Sequence, residues 1–267
     1  MRKLHILALV TCMLLCNSCS KENAQTEDPV GTPVQQPVSL TSNFANWWSY
    51  NNKHIKLYED FNAFDTDSKQ IRTDDFMKSM TSGEYISVKY IGKDSSTHYK
   101  LYKLPDSADP NIKLALKGWM AHEYANYLLK EKPLPGLNYT DLQGKVFDDQ
   151  TLNGKIVVLK FWFIGCKSCV AEMPELNKLV ARYKDRKDIV FVSLAFDSAE
   201  KLKKFLTQKQ FDYAVVAGQQ DYIMNTLGIK AAPTHIILSK EGLVDKVVNS
   251  AETLVPLVDK IASQSAI

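Results

Sequence analysis

Residues Ile156 to Phe163 read IVVLKFWF. Large apolar side chains follow one another with a single interruption, Lys160, and without the apolar/polar alternation of a half-exposed strand. An unbroken run of this kind is the pattern of a strand buried on both faces. Burying both faces requires helices on either side of a sheet, so this one segment already demands a layered α/β architecture. The run ends in IGCKSCVAEMPELN, where Cys166 and Cys169 stand two residues apart just ahead of a helical pattern that continues to Tyr183.

The segments that follow fit the same architecture. IVFVSLAF, from Ile189 to Phe196, is a second buried-type strand. Ala199 to Leu206 is helical, with Ser198 as N-cap. Tyr213 to Ala217 is a short strand and Asp221 to Leu227 a helix. Thr234 to Leu238 and Leu243 to Val248 flank a Lys-Glu-Gly turn as a hairpin. Glu252 to Ser263 closes the chain as a helix. Lys145 to Phe147 is a short strand ahead of the main run. Strands alternating with helices and ending in a hairpin predict a mixed sheet with helices on both faces.

Upstream, KPLPGLNY (Lys132 to Tyr139) interrupts the helical pattern and marks a boundary. The region before it reads as a smaller α+β domain, residues 41–132. FANWWSYNNKHIKLYEDFNAF is aromatic-rich and is expected to include a strand. Asp74 to Met80 reads as a short helix, and EYISVKYIGKDSSTHYKLYKL as a hairpin. Asp109-Pro110 opens a helix through Leu129. Trp47, Trp48 and Trp119 read as core or docking residues. His54, His98 and His122 have no metal-ligand spacing to one another. Residues 19–40, rich in Pro, Gln and Thr, read as a flexible tether.

The chain opens MRKLHILALVTCMLLCNSCS. A basic start and an apolar stretch of twelve residues, Leu4 to Leu15, form a segment too short to span a bilayer, which takes about 20; it reads as a secretory signal. Ser18 before Cys19 resembles the cut site of a bacterial lipoprotein. That resemblance implies removal of residues 1–18, lipidation of Cys19, and a place in the cell envelope of a Gram-negative bacterium, lipid-anchored and facing the periplasm. The formal charge is +3; losing Arg2 and Lys3 leaves +1, which gives no reason to expect a nucleic-acid partner.

The sequence holds five cysteines, Cys12, Cys16, Cys19, Cys166 and Cys169. Cleavage removes the first two and lipidation uses the third, leaving Cys166 and Cys169 as thiols. A disulfide across so short a loop constrains little of the unfolded chain, which favours a chemical role over a structural one. At a strand-to-helix junction the unpaired N–H groups of the helix start lower a thiol pKa. One turn further on, Cys169 stands on the same face as Cys166. Cys166 can attack a substrate disulfide and Cys169 can then resolve the mixed disulfide. A structural zinc site would need four ligands and finds no second pair; a copper ion held by Cys166, Cys169 and His235 is the metal-binding alternative.

FWFIGCKSCVAEMPELN together with AAPTHIILSKEG resembles the thioredoxin superfamily, in its TlpA/ResA-like extracytoplasmic branch, over residues 133–267. The resemblance implies a thioredoxin-like mixed sheet flanked by helices and a thiol–disulfide oxidoreductase that needs no cofactor beyond the redox-active Cys166–Cys169 pair. It implies that Pro233 is a cis-proline facing the cysteines, with the backbone at Ala232 pairing with an extended substrate. Glu172 matches the acidic residue of a C-x-x-C-x-x-E-x-P pattern and would exchange a proton with Cys169. Pro174 matches a helix kink, and Trp162 a packing residue. Gly165 replaces the tryptophan often found before the first cysteine, which would open the substrate groove. Lys167 would favour the thiolate. Lys160 stands where thioredoxin has a buried aspartate; it would either snorkel outward or lower the pKa of the deeper thiol.

These features point to a membrane-anchored periplasmic oxidoreductase that reduces disulfides in extracytoplasmic proteins. By resemblance its partners include apocytochrome c as substrate and a membrane electron-transfer protein as donor. The alternatives are an oxidase or isomerase on the same fold, or a binding lipoprotein whose N-terminal domain recruits a partner. No peroxidase-type T-x-x-C is present in the C-terminal domain.

Overall fold

The computed structural model describes residues 30–92 and 95–264. Cys19 and the leader lie outside them. Two β-sheets dominate, each with its own apolar core.

The first sheet is built from β1 (Thr32–Pro33), β2 (Asn62–Phe64), β3 (Gln70–Ile71), β4 (Tyr85–Ile91) and β5 (Thr97–Lys103), in the order β1-β4-β5-β2-β3. The helices α1 (Pro37–Thr41), α2 (Phe44–His54), α3 (Thr73–Met80) and α4 (Pro110–Leu129) accompany it. Trp47, Phe76, Tyr99, Ile112 and Leu116 lie in its core. Trp119 packs against that core from a half-buried position, and Trp48 is exposed.

One expectation for this region is borne out, the strand within the aromatic-rich stretch, and one is corrected, the extent of the tether. Residues 44–54 are helical, with a strand only at the far end of the aromatic-rich stretch. The Asn43 side chain caps α2 by accepting from the Asn46 N–H, and Trp47, Tyr50 and Asn51 then fall on one buried face at helical spacing. The tether does not extend to residue 40. β1 pairs antiparallel with β4, and Val30 and Leu40 are fully buried. A Cβ at Gly31 would collide with the Ile91 carbonyl, so this glycine lets the two backbones meet. The His98 Nδ1 donates to the Val30 carbonyl at 2.7 Å and ties down the start of the segment. The polar composition of residues 30–40 conceals the few apolar side chains that dock.

The second sheet has the order β10-β9-β8-β11-β12. It is preceded by a small ribbon of β6 (Asn138–Thr140) and β7 (Val146–Asp148) and by α5 (Asp149–Leu152). β8 (Ile156–Trp162) is central and runs parallel to β9 (Ile189–Ala195), which runs parallel to β10 (Ala214–Val216). β11 (Thr234–Leu238) and β12 (Val244–Val248) form the terminal hairpin, with β11 antiparallel to β8. Every residue of β8 is buried, and its side chains divide between two cores. Ile156, Val158 and Trp162 face the core under α6 (Lys167–Ala171), α7 (Met173–Arg182), α8 (Ala199–Leu206) and α9 (Ala251–Gln264). Val157, Leu159 and Phe161 face the other core, which holds Leu152 of α5 and Ile223 of a π-helical turn, Tyr222–Thr226. The buried-on-both-faces pattern is thus realised, and the mixed sheet with flanking helices is the one expected.

The helix expected from Cys169 to Tyr183 is two helices, α6 and α7, divided at Glu172. Between the two sheets, α4 runs into a linker that hydrogen-bonds to β12: Glu131 N–H donates to the Val244 carbonyl at 2.8 Å and Val244 N–H to the Lys132 carbonyl at 2.9 Å. Among the described residues no helix is long and apolar enough to cross a membrane.

Since Leu40 belongs to the core, Leu40→Ala is expected to cost about 2–5 kcal/mol in urea denaturation of the full chain. A loss below about 0.5 kcal/mol would return residues 30–40 to the tether.

Candidate functional site

β8 delivers the chain to the C-terminal edge of the sheet. Beyond Trp162 a short loop turns into α6. It is held by the Ile164 N–H, which donates to Asp197 Oδ2 at 2.8 Å, and by the Phe196 N–H, which donates to the Trp162 carbonyl at 3.1 Å. Cys166 is the N-cap residue of α6. Its Sγ accepts from the Cys169 N–H at 3.2 Å and lies 3.4 Å from Ser168 Oγ. Cys166 and Cys169 are joined by a disulfide with Cα atoms 5.2 Å apart. Cys166 is 7% exposed and Cys169 is fully buried, so Cys166 is the more accessible of the two. In the dithiol, an N–H directed at the Cys166 sulfur favours its thiolate form.

Glu172 follows one turn after Cys169. It ends α6 and begins α7, with Pro174 in the first turn of α7, so the kink expected near Pro174 falls beside it. Its carboxylate is largely buried. The Oε1 atom accepts from Lys160 Nζ and from His235 Nε2, the latter at 2.9 Å, while Oε2 accepts from the Ala251 N–H at the head of α9 at 3.0 Å. Strand register explains the convergence. His235 on β11 stands opposite Lys160 on β8, which stands opposite Ser193 on β9. All three are fully buried and form a polar row across an otherwise apolar face.

Burial alone would push the Glu172 carboxyl up; the His235 hydrogen bond, with the charge and hydrogen bond of Lys160, outweighs it and holds the group below the usual carboxylate range. Burial pushes the Lys160 ammonium down, and Glu172 restores part of the loss. Burial likewise pushes the His235 imidazole down, against the opposing pull of Glu172. The lysine does not snorkel outward: it is fully buried as the counter-ion of Glu172.

The Ala232–Pro233 peptide bond is cis, as the family resemblance implied. Ala232 is half-buried and packs on the core that contains both cysteines. The Thr234 hydroxyl donates to the Ala231 carbonyl at 2.8 Å and closes this loop on itself. Lys167 is exposed on the first turn of α6. His235, the third residue of the copper alternative, is engaged with Glu172 through Nε2. Among the described residues, no group of three or more His, Cys, Asp or Glu is arranged to hold a metal.

Gly165 has an aromatic neighbour of its own. The Phe163 ring lies 3.5 Å from where a Gly165 Cβ would stand and stacks on Phe196, with ring centroids 5.3 Å apart. An aromatic surface is therefore present, supplied by the neighbouring strand ends. Sequence reasoning missed this pair, together with Asp197 and Ala251. Their partners are distant in the chain, and only the position of Phe163 beside Gly165 hinted at any of them.

A family profile described as AhpC/TSA matches residues 131–247. The thiol-disulfide oxidoreductase ResA of Bacillus thuringiensis subsp. konkukian is 31% identical over 137 residues, which is 49% of this chain and 79% of that protein. The ResA of Bacillus anthracis is 34% identical over 114 residues, 42% of this chain and 65% of its own. Among solved structures, the thioredoxin domain of a thiol-disulfide oxidoreductase from Bacteroides vulgatus aligns with a TM-score of 0.45 at 25% identity. That alignment covers 49% of this chain and 96% of that one.

Removing the cation from the buried network should be costly. Lys160→Ala is expected to lose about 3–5 kcal/mol in chemical denaturation, because it strands the Glu172 carboxylate. Lys160→Met with Glu172→Gln should recover much of that loss, since no unpaired charge remains. A single-variant cost under about 1 kcal/mol would mean the pair is as weak as a surface ion pair.

Proposed function

The chain belongs, through its C-terminal half, to the ResA-like thiol–disulfide oxidoreductases of the thioredoxin superfamily, and we propose that it is a lipid-anchored reductant of disulfides in extracytoplasmic proteins. The observation that carries this reading is the ordered pair of sulfurs. Cys166 is the more accessible and receives an N–H bond, while Cys169 is fully buried.

In the reducing direction the Cys166 thiolate attacks one sulfur of a substrate disulfide. The Cys166–substrate bond forms, and the second substrate sulfur leaves as a thiolate that takes up a proton. Cys169 then attacks Cys166. The Cys166–Cys169 bond forms, the mixed disulfide breaks, and the second substrate thiol departs. Two electrons have passed from protein to substrate, and the protein is left in the disulfide form present in this structure. Holding Cys169 against Cys166 makes the second step intramolecular. Ala232, beside cis-Pro233, supplies backbone groups against which an extended substrate segment pairs. Glu172 takes up the proton that Cys169 loses, and Lys167 favours the thiolate of its neighbour.

A membrane electron-transfer protein would return the pair to the dithiol, and an apocytochrome c is a substrate of the proposed class. Lipidation at Cys19 would hold the protein at the membrane in the envelope of a Gram-negative cell, facing the periplasm.

The equilibrium reduction potential of the Cys166–Cys169 couple, titrated in dithiothreitol buffers, is expected near the thioredoxin value of about −270 mV. A value near about −120 mV would instead make the protein a disulfide donor. Cys166→Ala should abolish the transition, and Cys169→Ala should accumulate a mixed disulfide with substrate. Cys19→Ser should move the protein from the membrane to the soluble envelope fraction; retention at the membrane would refute the lipid anchor.

A further inference from the structure

The exchange just described employs two cysteines and a carboxylate. It leaves unexplained a fully buried histidine on the neighbouring strand. All five residues of β11, Thr234–Leu238, are buried, and an apolar side chain at position 235 would avoid the cost of desolvating an imidazole. The position is held by His235, whose ring meets Glu172.

The hydrogen-bond geometry fixes which ring nitrogen donates. Oε1 of Glu172 belongs to an ionised carboxylate already paired with Lys160, so it can only accept. His235 Nε2 therefore carries the hydrogen and donates. Burial pushes the imidazole toward its neutral form, in which the lone pair lies on Nδ1, a buried atom with no hydrogen-bond partner among the described residues. A carboxylate offers about four acceptor sites. Lys160, His235 and the Ala251 N–H occupy three of them, leaving one. Cys169 precedes Glu172 by three residues in the same helical turn, the spacing that places two side chains on one face.

We propose that His235 is a positioning residue for the dithiol exchange: its Nε2–H orients Glu172 so that the remaining acceptor site serves Cys169, and together with Lys160 it sets the low-pH limit of the exchange. During resolution the Cys169 S–H proton passes to Glu172. The Cys169–Cys166 bond forms, the bond from Cys166 to the substrate sulfur breaks, and the departing thiolate takes that proton, so no outside reactant is needed. The inference rests on the dithiol chemistry proposed above and not on the direction of electron flow.

The charged and polar groups around Glu172 bear on the limit, and Cys169 stands three residues before it. Lys160 from β8 and His235 from β11 favour the ionised form, as does the Ala251 N–H from α9. Cys169 from α6 exchanges the proton. Tyr213, just before β10, is neutral, its hydroxyl pushed up by burial and then by the Glu172 charge. The sign follows. A carboxyl held below its usual range stays ionised until the solution is more acidic than that range, and removing a donor lifts it, so the exchange fails at a higher pH.

The test uses the full-length chain in the dithiol form and Ellman's reagent (5,5′-dithiobis-2-nitrobenzoate). The first thiolate released reports attack by Cys166, and the second reports resolution by Cys169. Rates of the second release, followed by stopped flow across pH, should show an acid limb in the unaltered protein. His235→Leu is expected to move that limb up by about one unit, or about tenfold in rate at a pH below it. His235→Gln, whose amide N–H can still donate to Oε1, should keep the limb in place, and Glu172→Gln should remove it. His235→Asn, too short to reach Oε1, should match His235→Leu and replaces it should the leucine variant fail to fold. An unchanged limb in His235→Leu or His235→Asn would overturn the proposal. So would an equal shift in His235→Gln, or a limb that survives in Glu172→Gln. Absence of the first release in the unaltered protein would instead sink the dithiol reading itself, so the two failures are distinguishable.

Discussion

A lysine ammonium sits fully buried in the middle of a central strand, and a single carboxylate, Glu172, makes that placement tolerable. An uncompensated charge in such a layer costs several kcal/mol, so the elements around the pair are constrained to keep it together. Helix α6 must end at Glu172 for its side chain to reach Lys160. Strand β11 must hold its register for His235 to stand opposite Lys160. Helix α9 must begin at Ala251 for a backbone N–H to meet the second carboxylate oxygen. Four elements thus converge on one residue, one turn from the buried cysteine of the disulfide.

The same strand that carries Lys160 delivers Cys166. Because β8 is buried on both faces, its end has little freedom, and the short loop to α6 is pinned by Asp197 and by the backbone of Phe196. The cysteine pair therefore stands on a rigid support, while the cysteine that must meet a large substrate is the more accessible of the two. The cis peptide before Pro233 and the stacked Phe163 and Phe196 shape the surroundings from two other segments.

The N-terminal sheet joins this arrangement through the edge of the second sheet. The linker after α4 hydrogen-bonds to Val244, Pro133 forms a bridge with Leu243, and Lys246 of β12 stands 4.0 Å from Asp60. An exposed edge strand invites pairing with other chains; here β12 is covered by the protein's own linker.

The apolar run of β8, the cysteine spacing and the terminal hairpin are local patterns, and they were legible as a layered fold with a dithiol at a strand end. Cys166, Cys169, Glu172 and the cis-proline could be located because each belongs to a short motif. Lys160 was noticed, yet its burial was not foreseen, since a lysine in a strand is equally compatible with a side chain reaching outward. His235 was seen only as a metal-ligand candidate, and Val30 and Leu40 were lost in a polar stretch. What the sequence by itself determined is the secondary-structure order and the chemistry of the thiol pair, because both depend on neighbours within a few residues. Only the tertiary structure decided which groups hold Glu172 and which aromatics stand beside Cys166. Those contacts link residues 12, 63 and 79 positions apart to one carboxylate, and only strand register and helix packing bring them together.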